Sequence, residues 1–157
     1  MPKTALLILL AVVCMPGIYF AQAGRKLQTE TWQNAPDSTT TKIRVITREH
    51  DHHKLDSAFL YALFKNHFKV DNNATVQDHV NTTPIPSYVG YDVKLSVDFQ
   101  DTVVTVSGFR SYIGANPNVY NWSPIVYSSG FNAGWLIMQQ VAAYSPSQVL
   151  YNSTVSK

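Results

Sequence analysis

Between residues 91 and 100 the chain reads Y-D-V-K-L-S-V-D-F-Q, apolar and polar side chains in regular alternation. Period two puts Tyr91, Val93, Leu95, Val97 and Phe99 on one face of a strand and Asp92, Lys94, Ser96, Asp98 and Gln100 on the other. One face then packs on a core and the other meets water, as in an antiparallel sheet covered on one side. A tight turn near Gln100-Asp101 leads into V-V-T-V-S-G-F-R-S-Y-I at 103–113, where Gly108 breaks the alternation and predicts a bulge. Residues 42–47, K-I-R-V-I-T, form a third strand with Ile43 and Val45 inward, and 74–80, A-T-V-Q-D-H-V, a weak fourth.

From Leu55 the period changes. Leu55, Ala58, Phe59, Ala62 and Leu63 follow the helical i, i+3, i+4, i+7, i+8 rule, and Leu60, Phe64 and Phe68 widen the stripe. Asp51 is the N-cap, and Lys65 and His67 put positive charge near the far end. A second helix runs from near Ser129 to about Tyr144, with Phe131, Trp135, Met138, Val141 and Ala142 along one stripe and Ser145-Pro146 as its stop. The order is β-α-β-β-β-α. Both helices pack most economically on the apolar sheet face, which gives a two-layer α+β domain over 42–145. Residues 24–41, polar and Thr-rich, read as a linker, and 146–157 as a flexible tail. The Asn/Pro-rich stretch 114–130 is a long loop.

The N-terminus changes the setting. Lys3, the apolar run A-L-L-I-L-L-A-V-V, Pro16-Gly17 and A-Q-A at 21–23 make a secretory signal peptide, cleaved after Ala23. An uncleaved anchor is disfavoured because the run is short for a bilayer. Lipid attachment at Cys14 is disfavoured because Val13 precedes it where a small side chain belongs. Those two routes are the ones that would tie the chain to a membrane. Cleavage removes the one cysteine, which points to a bacterial periplasmic or cell-surface protein with a self-sufficient core rather than a disulfide-stapled one. The Asn-x-Ser/Thr triplets at Asn73, Asn81, Asn121 and Asn152 then follow from composition alone. Of 12 basic residues only Lys3 lies in the leader, so the mature chain is nearly balanced against 10 acidic ones, and no basic face predicts nucleic acid.

The stretch L-S-V-D-F-Q-D-T-V-V-T-V-S-G-F-R-S-Y at 95–112, the Trp-Ser-Pro-Ile loop after it and a closing helix with Trp135 resemble the secreted Bacteroidetes domains of unknown function with a TATA-binding-protein-like fold. The resemblance implies that fold and export, and brings no catalytic residue with it.

Candidate chemistry is sparse. E-H-D-H-H-K-L-D at 49–56 gathers three histidines and three carboxylates. His52 and Asp56 are i, i+4 neighbours on a helix and, with His50 or a distant ligand such as His79, could hold a divalent metal. Read as structure, the same residues are a cap and a solvated first turn. The H-x-H-x-D-H element of metallo-β-lactamases is excluded, because Lys54 stands at its Asp position. Tyr120, Trp122 and Tyr127 in the 114–130 loop could stack on a glycan or a protein partner. Phe59, Phe64, Tyr91, Phe99 and Trp135 would line a cavity for a small apolar ligand, or simply fill the core. With no mature cysteine, no G-x-S-x-G elbow and no pair of carboxylates at a spacing that suggests acid–base work, nucleophilic catalysis has the least support. The expectation is a non-enzymatic exported domain without a cofactor, binding protein or glycan through the 114–130 loop or the open sheet face. An apolar-ligand carrier and a metal-dependent enzyme at 50–56 are the alternatives.

Overall fold

The computed structural model describes residues 28–73, 78–86, 90–112, 121–128, 132–143 and 148–156, so the signal segment and Tyr120 lie outside the described residues. The fold is α+β, and among the described residues it comprises an antiparallel sheet of eight strands with two helices. In chain order the elements are β1 (Gln28–Gln33), β2 (Lys42–Ile46), α1 (His52–Lys65), β3 (His79–Asn81), β4 (Ile85–Pro86), β5 (Tyr91–Gln100), β6 (Val103–Tyr112), β7 (Ser123–Pro124), α2 (Ala133–Ala142) and β8 (Gln148–Ser156). Across the sheet they run β1-β8-β2-β6-β5-β3, with β4 also on β5 and β7 also on β6.

Both chain ends correct the expected layout. The stretch read as a linker contains β1, and the stretch read as a flexible tail is β8, inserted between β1 and β2. Neither is conspicuously apolar. What makes them strands is backbone pairing across some 120 positions of sequence, Gln28 opposite Ser156 and Ile43 opposite Tyr151.

The core is the apolar face foreseen for β5. Val93, Leu95 and Val97 join Ile43 and Val45 of β2 and Val104 and Val106 of β6 beneath the helices. From α1 come Leu55, Phe59, Ala62 and Leu63, and from α2 Trp135, Met138, Val141 and Ala142, all in one cluster. Phe64 does not belong to it. Nine residues on from Leu55 it falls about half a helical turn away, and its side chain is 75% exposed. Leu60 is exposed as well, so the buried stripe of α1 is narrower than its composition implies. Asp51 does cap the helix, its side chain accepting from the backbone N–H groups of His53 and Lys54. At the other end His67 takes a left-handed φ of 65°, and the N–H groups of His67 and Phe68 close on Phe64 and Leu63 O, a Schellman stop.

Gly108 is not a bulge. Pairing of β5 with β6 is continuous from Tyr91–Tyr112 to Gln100–Val103. The glycine is there for space, because a Cβ would sit 2.5 Å from Met138 Sδ and 2.9 Å from Ile125 Cδ1. At Gly134 of α2 a Cβ would come within 2.7 Å of the same Ile125 atom. The two glycines thus let α2 settle on β6 with Ile125 wedged between them.

The turn from β1 to β2 is organised by Asp37. Its carboxylate accepts hydrogen bonds of 2.7–3.2 Å from Gln33 Nε2, Thr39 N and Oγ1, Thr40 Oγ1 and Ser153 Oγ. The hydroxyl of Thr39 first, then that of Ser153, hold this carboxyl well below the usual carboxylate range. Because the folded value is depressed, the stabilisation is complete above the unfolded value of about 3.9 and is lost as pH falls through the lower folded one. In a carbon-13 NMR titration Asp37 is expected to stay ionised well below the ordinary aspartate range, and Asp37→Asn to remove that acid-side dependence. Titration of Asp37 within that ordinary range would disprove the network.

Candidate functional site

The histidine-rich stretch resolves into a staircase of side chains on backbone. Thr47 Oγ1 accepts from Glu49 N–H, Glu49 Oε1 from Asp51 N–H, and Asp51 from the first turn of α1. His50, His52 and His53 are left exposed. His52, His53 and Asp56 border an open cavity of about 600 Å³ with Leu60, Asp78, Val80 and Phe99, and His50 is not part of its wall. Among the described residues no three His, Cys, Asp or Glu side chains come together as a metal ion would need. His79, the distant ligand the sequence offered, sits on the other face of the sheet and contacts Asp98.

The aromatic loop also divides. Trp122 lies on the polar face, its ring centroid 4.5 Å from Lys94 Nζ. Tyr127 packs edge-on against Trp135 on the helix side, centroids 5.5 Å apart. Strand alternation separates them, because Ile125 beside Gly108 is buried in the core while Pro124 pairs with outward-facing Phe109. Phe59 and Phe99 meet edge to face at 5.9 Å in the interior that a small apolar ligand would need.

The polar face is richer. Arg44 of β2 lies 3.6 Å from the ring centroid of Trp32 in β1, and Lys42 pairs with Glu30 at 3.0 Å. Lys94 reaches Phe109 as well as Trp122. At the β3 end, His79 Nδ1 contacts Asp98 and its Nε2 lies 3.5 Å from Ser96 Oγ. This connectivity is that of a serine, a base and a carboxylate. Ser96 is nevertheless in the middle of β5 with strands paired on both sides, so the N–H groups around it serve the ladders rather than a developing oxyanion. The trio is a polar brace across β3 and β5.

One functional candidate escaped the sequence reading. Arg110 occupies an inward register of β6, in line with Val104, Val106 and Gly108. A charge in a core-facing register was the available signal, and Gly108 just before it obscured the alternation. Among the described residues no helix is long and apolar enough to cross a membrane. Comparison with family models, curated proteins and solved structures finds no match for this chain.

Proposed function

We propose that this is an exported, non-enzymatic binding domain whose polar sheet face receives a glycan. The leader pattern at 1–23 supports export. The observation that carries the binding reading is the pair of tryptophan–cation stacks on the face without helices, Trp32 with Arg44 and Trp122 with Lys94. Arg44 pairs with Thr105, and Lys94 stands four residues from Thr105's partner Asp98 on β5. The backbone positions of the two cations are therefore roughly 13 Å apart along the strands and about 10 Å across them. Thr105, Ser107 and Ser96 lie between, in registers that share the polar face.

Sugars present C–H faces to aromatic rings and hydroxyls to polar groups, and this strip offers both. A protein interface would favour an apolar centre, whereas of the exposed large apolar side chains among the described residues Leu60, Tyr61, Phe64 and Leu136 are on the helices and Tyr112 ends β6 in a register that faces the helix layer.

The chain without residues 1–23 is expected to be retained by at least one class in a panel of insoluble polysaccharides and peptidoglycan. Trp32→Ala and Trp122→Ala should each weaken retention about tenfold or more, about 1.4 kcal/mol. Retention by none of them, or retention indifferent to both substitutions, would reject the reading.

A further inference from the structure

We propose that a separate cleft, beside the N-terminal end of α2, binds a small carboxylate ligand through Arg110. Its register turns Arg110 toward the helix layer. Arg110 is half-buried, and a charge turned toward a core in this way gains from a partner that reaches it. Among the described residues no ion pair reaches Arg110, and its buried Nε has no hydrogen-bond partner. Its recorded neighbours are ring faces, Tyr112 at 5.6 Å and Tyr91 at 6.0 Å from the guanidinium carbon. Rings hold a guanidinium in place, but their faces do not replace a carboxylate for its N–H groups.

The space beside it is open. A cleft of about 400 Å³ is walled by Tyr91, Arg110, Tyr112, Tyr127, Ser128 and Asn132. Part of the wall is fixed by bonds of its own. Gly134 N–H donates to Tyr91 Oη, Asn132 Oδ1 accepts from Trp135 N–H, and Asn132 Nδ2 donates to Val126 O. The Arg110 guanidinium is the charged donor of the wall, with its Nε unpartnered. Arg44 makes the contrast: its Nε is also unpartnered, but its guanidinium is capped by Trp32 at 3.6 Å.

The ligand class follows from shape and charge. A planar guanidinium fork matches a carboxylate through two parallel hydrogen bonds. Among the described residues the wall holds one cation and no second Lys or Arg, which suits one negative charge rather than a phosphate dianion. The first turn of α2 carries no acidic side chain to oppose it. Tyr112 and Tyr127 give the ligand body an aromatic bed, and the volume is that of a small molecule.

Benzoate and benzamide, equal in shape and different in charge, test this against inorganic phosphate. In proton–nitrogen NMR spectra of the protein, benzoate should shift the Arg110 Nε–H and the Tyr112 and Ala133 amides saturably. Benzamide should bind at least tenfold more weakly. Arg110→Met, which keeps the apolar stem, should abolish the preference for benzoate at an unchanged or raised Tm, and Arg110→Lys should weaken binding at least fivefold. If Arg110→Met fails to fold, the benzoate–benzamide contrast and Tyr112→Ala, an exposed wall residue expected to weaken benzoate several-fold, decide the matter. Equal binding of the two probes, no saturable shift, or a benzoate response that survives Arg110→Met overturns the proposal. Tighter binding of phosphate than of benzoate overturns the stated class. Trp32→Ala and Trp122→Ala should leave the benzoate response intact, which separates this cleft from the glycan face.

Discussion

A chain ending at Ser145 should show no cooperative thermal transition, although it retains both helices and seven of the eight strands. β8 is interior to the sheet, antiparallel to β1 on one side and to β2 on the other. Removing it strips β1 of its partner in the sheet order and opens the edge of β2. It also withdraws Val149 and Tyr151 from the rim of the core, where Tyr151 lies 6.1 Å from Trp135 between ring centroids. Domains of this size are stable by roughly 5–15 kcal/mol, and an interior strand with ladders on both sides accounts for a loss on that scale. Near-ultraviolet circular dichroism and calorimetry read it directly. A sharp transition close to that of the full chain would mean that β8 does not occupy the interior position.

Asn152→Ala should be strongly destabilising, lowering the unfolding free energy by about 2–4 kcal/mol. Asn152 is 2% exposed. Its Oδ1 accepts from the backbone N–H groups of Thr41 and Lys42 at 2.8 and 2.7 Å, at the entry to β2. Its Nδ2 donates to Glu30 Oε1 and Thr41 Oγ1. Alanine leaves two backbone donors without their acceptor, and such donors cost about 1–3 kcal/mol each when water cannot reach them. Asn152→Asp keeps the acceptor but sets a second carboxylate against Glu30, so it should also destabilise, chiefly at neutral pH. Urea unfolding measures both. A change under about 0.5 kcal/mol for alanine would show that water replaces the side chain freely.

The parts of this fold that could be read from the sequence are those where one side chain in two, or one in three or four, had to be apolar. β5 has a buried face and a wet face, so its alternation survives in Y-D-V-K-L-S-V-D-F-Q, and Leu55, Phe59, Ala62 and Leu63 keep the helical period for the same reason. Asp51 was legible because capping is local chemistry. β1 is an edge strand whose Glu30 and Thr31 face solvent, so Q-T-E-T-W-Q carries no burial pattern. In β8 the inward Val149 and Tyr151 are diluted by Asn152 and Ser153, whose work is to bond the turn and the start of β2. Gly108 was misread because a glycine needed for close packing and one needed for a bulge leave the same mark in a strand. The candidate sites depend on which face each residue reaches. Trp122 and Tyr127 are five positions apart and end on opposite sides of the sheet, while Trp32 and Arg44 come from different strands and meet.

The insertion of β8 between β1 and β2 also sets a timetable. A chain that emerges N-terminus first exposes the β2 edge until residues about a hundred positions later arrive, roughly 5–20 s at ordinary synthesis rates. During that interval the same edge fits the β8 of a neighbouring molecule as well as its own, the condition for exchange of identical strands between copies. Lys42 and Arg44, charged and outward on that strand, then act as guards of a nascent edge as well as partners of Glu30 and Trp32.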